Sequence, residues 1–131
     1  MGRFFRQAFY YTIKVQPMGY KNRKSFEDRK TENQQLIARY PGRVCVVVEA
    51  GASIVLNKFK FLTPEDLTVG QMMHVVRKHI DGLPLSAALF FFTKHNSIPP
   101  MNMTIGTLAK SFGDEDGNVY LDLRTENTFG A

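Results

Sequence analysis

Val44-Cys45-Val46-Val47-Val48 is the stretch that decides the fold of this 131-residue chain. Five consecutive apolar residues, four of them β-branched, are typical of a strand that is buried on both faces. A strand with one face in water would instead alternate apolar with polar residues. The segments around this run must therefore supply a layer for each of its two faces.

A helix precedes this strand and a second strand follows it. Ser25 has the residue type of an N-cap, acidic residues fill the first turn, and Pro41-Gly42 ends the helix. After a loop over residues 51–53, Phe59, Phe61 and Thr63 alternate with their neighbours. This alternation predicts the second strand.

The clearest helix signal begins at Thr68, because Gln71 stands at the capping-box position three residues later. The pattern predicts a helix that ends at Asp81-Gly82. Its apolar face is predicted to contain Met72, Val75, Val76, His79 and Ile80.

Three further elements follow. The run over residues 88–93 predicts a third strand, and Thr104 predicts the start of a short helix that ends at Gly113. Residues 114–118 are interpreted as a solvated turn, and residues 119–123 alternate as a last strand. The fold class is therefore α+β. The element order fits a β-grasp, a four-stranded mixed sheet with helices laid on one face.

The positive charge of the chain is concentrated at one end. Residues 1–24 carry six basic groups and no acid, whereas residues 25–131 carry eleven basic and twelve acidic groups. Such an arm can attract nucleic acid, anionic lipid or an acidic partner, and it can equally be a solvated extension. The chain has no apolar run long enough to cross a bilayer, which predicts a cytoplasmic protein.

The residue types needed for catalysis or metal binding are not brought together by any spacing in the chain. One cysteine permits neither an intrachain disulfide nor a cysteine-rich zinc site, and Cys45 lies inside an apolar strand, where burial makes a thiol inert. His74 and His79 are five positions apart, so they do not share one helix face. We therefore predict no catalytic residue, no metal and no cofactor.

Several blocks of sequence occur together in order and resemble a known family. They are Phe26-Glu27-Asp28-Arg29-Lys30, Arg39-Tyr40-Pro41-Gly42-Arg43, the run over residues 62–71, the run over residues 88–92, Ile98-Pro99-Pro100 and Glu126-Asn127-Thr128-Phe129-Gly130. Together they resemble the ubiquitin-like autophagy modifiers of the GABARAP and microtubule-associated light-chain family. The resemblance implies a ubiquitin-like β-grasp with an N-terminal helical extension. It divides the chain into an arm (1–24), a ubiquitin-like domain (25–123) and a flexible conjugation tail (124–131).

The first activity that the resemblance implies concerns the tail. A processing cysteine protease would cleave after Gly130 and remove Ala131, with Arg77, Phe90 and Phe129 contacting the protease. E1-like and E2-like enzymes would then transfer the Gly130 carboxylate to phosphatidylethanolamine, which would place the protein on autophagosome membranes. The protein would be a substrate and a tag rather than an enzyme. Without the resemblance, a frayed terminus is the simpler interpretation of this tail.

The second implied activity is the binding of cargo receptors through short aromatic-x-x-aliphatic motifs, which would add a strand to the edge of the second strand. The residues of the aromatic pocket would be Glu32, Leu36, Cys45, Lys60 and Leu62. Those of the aliphatic pocket would be Phe61, Thr63, Pro64, Leu67, Met72 and Val75. Lys58, Lys60 and Arg43 would meet acidic residues that flank the motif.

This sequence departs from the family pattern at the pockets. Cys45 replaces a usual proline, Thr63 replaces an aliphatic residue, and Asn118 stands where an aromatic residue usually forms the floor of the first pocket. A polar floor predicts weaker burial of tryptophan or a preference for smaller anchors.

Other functions remain open from the sequence. The chain could be conjugated to a protein lysine, could bind nucleic acid through its basic arm, or could be a scaffold whose tail is never modified. If the resemblance holds, we expect no nucleic acid among its partners.

Overall fold

The computed structural model describes residues 19–51, 53–84 and 86–126. The helices are α1 (Tyr20–Arg23), α2 (Phe26–Arg39), α3 (Val69–Arg77) and α4 (Ile105–Phe112). The strands are β1 (Arg43–Ala50), β2 (Val55–Leu56), β3 (Lys60–Pro64), β4 (Ile80–Asp81), β5 (Leu89–Thr93) and β6 (Val119–Thr125).

Four strands form one mixed sheet in the order β3-β1-β6-β5. Strand β1 pairs antiparallel with β3 and parallel with β6, and β6 pairs antiparallel with β5. The short strands β2 and β4 form a separate pair. The predicted four-stranded mixed sheet is therefore confirmed.

Strand β1 is buried on both faces, as its sequence predicts. Val46 and Val48 contribute to a core cluster with residues of α3 and α4, including Met72 and Leu108. Val47, on the opposite face, packs in a second cluster with Tyr20 and Tyr120. Helices α1 and α2 therefore cover one face of the sheet, and α3 and α4 cover the other.

The three predicted helix starts are confirmed by their caps. The Ser25 side chain accepts a hydrogen bond from the Asp28 backbone N–H, and Thr104 accepts one from Thr107. Thr68 and Gln71 form a complete capping box. These bonds satisfy backbone N–H groups that the first turn of a helix leaves without partners.

The predicted end of the third helix is wrong. Helix α3 ends at Arg77, and Ile80–Asp81 forms strand β4 against Val55–Leu56 instead of a last helical turn. The Asn57 backbone N–H donates to the His79 carbonyl at 2.9 Å, so this segment is paired in extended form. Tertiary pairing here overrides a helical apolar pattern.

The prediction of a turn at residues 114–118 is confirmed, but the turn is solvated only in part. Asp116 and Asn118 are buried. The Asp116 carboxylate accepts hydrogen bonds from Arg29 Nε at 2.9 Å and from the Tyr120 hydroxyl at 2.5 Å. Burial alone would raise the pKa of Asp116, but the bonds from Tyr120, the Asn118 backbone and Arg29 outweigh it and hold the pKa below its usual value.

The described ends of the chain extend the ordered fold beyond the predicted domain limits. Strand β6 continues two residues past Leu123, and Arg124 and Thr125 pair with Phe90 and Leu89. Tyr20–Arg23, which the sequence division assigns to the arm, forms α1 on the sheet. The rest of the arm (1–18) and residues 127–131 lie outside the described residues.

The buried ion pair between Arg29 and Asp116 leads to a stability prediction. We expect Arg29→Met to lower the free energy of unfolding by about 3–5 kcal/mol, because it leaves a buried carboxylate without its cation. Urea unfolding at pH 7 measures this loss. Lys30→Met, on the exposed next position of α2, is the control and should change stability by less than about 0.5 kcal/mol.

The same pair predicts a pH dependence. The pKa of Asp116 is lower in the folded protein than in the unfolded chain, so its stabilisation is complete above the unfolded pKa and is lost as the pH falls through the folded pKa. The difference in stability between wild type and Arg29→Met should therefore shrink in acid. A difference that stays constant down to pH 2 would contradict the assignment.

Candidate functional site

Strand β3 is an edge strand of the four-stranded sheet. Val46 pairs with Phe61, Val44 pairs with Thr63, and the Val48 N–H donates to the Phe59 carbonyl, so these positions of β3 bond inward to β1. In an antiparallel pair the intervening residues direct their backbone groups outward. Lys60 and Leu62 therefore present N–H and C=O groups to an edge that no other strand of the described residues covers.

The side chains of Lys60 and Leu62 lie on the α2 side of the sheet, opposite the core side chain of Phe61. Lys60 forms an ion pair with Glu32 of α2. The Tyr20 hydroxyl donates to Glu32 Oε1 at 2.5 Å and accepts a hydrogen bond from Lys60 Nζ at 2.9 Å. Lys24 also contacts the Glu32 carboxylate. Glu32 and Lys60, both predicted for the aromatic pocket, are thus brought together, and Tyr20 joins them.

The other predicted residues of the aromatic pocket line the same face. Leu36 and Leu62 are half-buried, and Cys45, which is opposite Leu62 in the strand register, is only 1 % exposed. Burial raises the pKa of the Cys45 thiol to about 12. The prediction that Cys45 is an inert packing residue agrees with this environment.

Two groups in this cluster have displaced pKa values. Burial, with a smaller contribution from Lys24, lowers the pKa of Lys60 to about 8. Burial is also the main cause that raises the pKa of Tyr20 to about 12. The Tyr20 hydroxyl therefore stays protonated at neutral pH, whereas the Lys60 amine titrates closer to neutral pH than an exposed lysine does.

The six residues predicted for the aliphatic pocket fall into two sets. Phe61 and Met72 are buried in the core, and Thr63 is buried with its hydroxyl donating to the Val44 carbonyl at 3.0 Å. Pro64 and Leu67 are half-buried, and Val75 is 36 % exposed on α3. Pro64, Leu67 and Val75 therefore offer surface to a ligand, whereas Phe61, Thr63 and Met72 lie inside the fold.

Three basic residues were predicted to flank the edge, and they differ in availability. Lys58 is exposed and stands over the Phe61 ring at 5.1 Å. Arg43 is exposed and its Nη1 donates to the Leu62 carbonyl at 3.4 Å. Lys60 is only 19 % exposed and is paired with Glu32. Lys58 and Arg43 are therefore the cations that an acidic ligand meets first.

The residues expected to contact a protease lie elsewhere. Arg77, at the end of α3, donates to the Ala87 carbonyl at 2.8 Å. Phe90 is half-buried on β5, at the sheet edge opposite β3. Phe129, Gly130 and Ala131 lie outside the described residues.

Comparisons with known proteins identify the family. The family model described as "Autophagy protein Atg8 ubiquitin like" matches residues 28–130. The chain is 38 % identical over 114 residues to Autophagy-related protein 8 of Schizosaccharomyces pombe, covering 85 % of this chain and 93 % of that one. It is 43 % identical over 108 residues to Autophagy-related protein 8a of Arabidopsis thaliana, covering 80 % and 87 %. The chain belongs to the Atg8 family.

Solved structures of Atg8 proteins agree with the fold. The crystal structure of Trypanosoma brucei ATG8 superposes with a TM-score of 0.77 at 32 % identity, covering 85 % of this chain and 97 % of that one. Plasmodium falciparum Atg8, solved in complex with a Plasmodium falciparum Atg3 peptide, gives a TM-score of 0.71 at 26 % identity and covers 81 % and 94 %. The predicted ubiquitin-like fold with an N-terminal helical extension, and the identification as a ubiquitin-like autophagy modifier, are confirmed.

The described part of this Atg8 chain holds neither a metal-binding cluster nor a helix suited to cross a membrane. Residues 19–51, 53–84 and 86–126 contain no group of three or more His, Cys, Asp or Glu side chains placed to hold a metal ion. Within the same ranges, no helix combines the length and apolar character that a membrane crossing needs.

Sequence reasoning missed Tyr20 as a member of the site. Its position in the basic arm gave no indication that its ring would be buried at 3 % exposure against the sheet. The only sequence signal was its aromatic type just before the Ser25 cap, which is too weak to indicate a contact with residues 12 and 40 positions away.

The contact between Glu32 and Lys60 leads to a testable prediction. Glu32→Gln removes the negative charge that favours the protonated amine, so we expect the pKa of Lys60 to fall below its wild-type value. Titration of the lysine side-chain resonances by NMR measures this change. Glu27→Gln, on an exposed position of the first turn of α2, is the control and should leave the pKa unchanged. A Lys60 pKa that is the same in Glu32→Gln and wild type would refute the ion pair.

Proposed function

We propose that this ubiquitin-like autophagy modifier performs two linked tasks. It is conjugated through the Gly130 carboxylate to phosphatidylethanolamine on autophagosome membranes, and it is cytoplasmic before conjugation. It also binds cargo receptors through short aromatic-x-x-aliphatic motifs. It acts as a substrate and an adaptor rather than as a catalyst.

The free edge of β3 carries the proposal for peptide binding. Lys60 and Leu62 offer outward backbone groups that a peptide strand can pair with. Main-chain hydrogen bonds of this kind give an affinity that does not depend on the sequence of the peptide. On one side of the edge lie the half-buried Leu36 and Leu62, and on the other the half-buried Leu67 and the more exposed Val75. Successive side chains of an added strand point to opposite faces, so two anchors separated by two residues are directed to different faces and can enter different pockets.

The structure of Plasmodium falciparum Atg8 with an Atg3 peptide supports this proposal, because that relative shares the fold and holds a peptide. By analogy, a partner of the E2-like class is expected to use a peptide segment on this chain. The exposed cations Lys58 and Arg43 favour peptides with acidic flanking residues, which mainly increases the rate of association.

The conjugation proposal rests on the family match, which extends to residue 130. Strand β6 ends at Thr125, and Gly130 follows five positions later, a distance that spans at most about 17 Å when extended. A residue without a Cβ fits narrow active sites at which bulkier residues clash. Two acyl chains would then anchor the protein stably, whereas a single chain gives marginal binding.

Processing would come first. A cysteine protease would cleave after Gly130 and release Ala131, with Arg77, Phe90 and Phe129 as contacts, and E1-like and E2-like enzymes would then activate the new carboxylate. A docking role for Arg77 and Phe90 rests only on their family positions. Each of the two residues also has a contact within the chain.

Reconstitution tests conjugation at Gly130. A chain that ends at Gly130 is incubated with the E1-like and E2-like enzymes, ATP and vesicles containing phosphatidylethanolamine. It should gain the mass of one phospholipid. We expect Gly130→Ala to abolish or strongly reduce the adduct. Gly51→Ala is the matched control, because a Cβ at Gly51 meets only the Leu123 carbonyl at 3.9 Å. An adduct that forms equally on Gly130→Ala would refute the proposal.

Peptides that are N-methylated at one backbone position at a time test strand addition. Only alternate peptide N–H groups face β3, so affinity should fall about tenfold or more at every second position and change little at the positions between. Isothermal titration calorimetry measures the pattern. A uniform effect of methylation along the peptide would exclude pairing with β3.

A substitution on α3 tests the aliphatic pocket. Val75→Asp adds a charge at a partly exposed site position and should weaken peptide binding about tenfold or more, because the charge must be desolvated. His74→Asp adds the same charge on the exposed neighbouring position and should bind nearly as wild type. Equal losses in both variants would contradict the assignment.

A further inference from the structure

Phe92 lies on the α2 side of the sheet, outside the main core, and is nevertheless only 6 % exposed. Its neighbour Phe91 belongs to the core on the opposite side, and successive side chains of a strand point to opposite sides. The partner of Phe92 on β6 is the half-buried Asp122, which lies on the α2 side as well. A phenylalanine in this position is excluded from water only if a layer of chain covers it.

The described covers of the α2 side lie beside Phe92. Tyr20 of α1 packs with Val47 of β1 and Tyr120 of β6. The Arg124 guanidinium lies 4.1 Å from the centre of the Phe92 ring and covers one face of it. Strand β5 is also the last strand of its sheet, so within the described residues no strand flanks it on the outer edge. The burial of Phe92 therefore calls for a further layer.

The chain enters α1 at the end of the row that leads to Phe92. The Tyr20 backbone N–H donates to the Glu49 carboxylate at 3.0 Å, and Glu49 lies so close to Gly19 that a Cβ would not fit there. Glu49 pairs with Asp122, and Asp122 pairs with Phe92, so the three side chains form one row across the sheet. Phe92 is thus two interstrand spacings, about 10 Å, from the start of α1.

We propose that residues 1–18, which lie outside the described residues, cover the β5 part of the α2 side in the same molecule, with aromatic rings of the segment packed on Phe92. Gly19, which joins the segment to α1, is extended at φ −72° and ψ 168°. Four extended residues span about 13 Å, which already exceeds the distance to Phe92. The segment is therefore long enough to reach this ring and to continue to the β5 edge.

The composition of residues 1–18 fits this surface. The carboxylates of the row are already neutralised, because Lys94 contacts Glu49 at 2.6 Å and Asp122 at 2.9 Å. The surface therefore attracts apolar groups more than cations. Aromatic rings bury a large area and pack favourably against other rings. The segment supplies five of them, Phe4, Phe5, Phe9, Tyr10 and Tyr11.

The cover has a consequence for the two edges of the sheet. An edge strand with accessible phenylalanine rings is a template on which another chain can pair. Residues 1–18 shield β5 from such pairing, whereas the β3 edge stays accessible. The segment thus directs strand addition to β3.

Hydroxyl-radical labelling of the full chain, read residue by residue by mass spectrometry, tests the cover. When the five aromatic residues of the segment are each replaced by serine, labelling of Phe92 should rise several-fold, because the rings that exclude water are gone. Phe91, on the core side of the same strand and 2 % exposed, is the internal control and should stay protected. When the three cations of the segment are each replaced by glutamine, Phe92 should be labelled as in wild type. These cations are Arg3, Arg6 and Lys14.

Two results would overturn the proposal. One is equal labelling of Phe92 in wild type and the serine variant while Phe91 is protected in both. The other is a rise in the glutamine variant as large as in the serine variant, which would assign the contact to charge. The labelling needs neither a bound peptide nor conjugation, so its failure leaves the proposed function untouched.

If Phe91 also loses protection in the serine variant, a nitroxide on Ala8→Cys decides instead. The label attaches at this position alone, because Cys45 is buried. It should broaden the amide resonance of Phe92 more strongly than that of Leu62 on β3. The reverse order contradicts the proposal. So does broadening of Phe92 that arises only when the nitroxide is on a second molecule, mixed with isotope-labelled chain that carries none.

Discussion

The burial of β1 between two apolar layers is the constraint on which the rest of the structure depends. Val46 and Val48 require the core formed with α3 and α4, and Val47 requires a second cover, which Tyr20 and Tyr120 provide. A one-residue shift in pairing would exchange the two faces of the strand. In the resulting sheet β3 lies at the edge, and no other strand of the described residues pairs with its outward backbone groups.

The second cover is held by polar contacts as well as by packing. Arg29 reaches from α2 to the buried Asp116 near the start of β6 and also bonds to the backbone of α1. A buried carboxylate without that cation would be costly, so the pair ties the N-terminal helices to the sheet in one arrangement. Tyr20 is placed at the candidate site by this same arrangement. The geometry of the site is therefore a consequence of how the chain covers the outer face of β1.

Features that depend on near neighbours could be predicted from the sequence alone. The caps at Ser25, Thr68 and Thr104 and the apolar run of β1 are local patterns, and each was predicted correctly. The errors arose where distant residues decide. Asp116 is buried against Arg29, which is 87 positions away, so no local pattern indicates its burial. Residues 80–81 are extended because they pair with β2. Two-residue strands are too short to show a period. For the site, the resemblance named Glu32 and Lys60, which the structure brings into contact, but Tyr20 carried no motif.

The two proposed activities use separate parts of the sheet, which lets one molecule perform both at once. A peptide strand would add outside β3, whereas the tail leaves from β6, which is separated from that edge by β1. Ala50 at the end of β1 pairs with Leu123 of β6, so the chain leaves the sheet at the end where β1 finishes. Anchoring through the tail would therefore leave the β3 edge open to a cargo peptide. An adaptor needs this separation, because a shared surface would force the membrane and the cargo to compete.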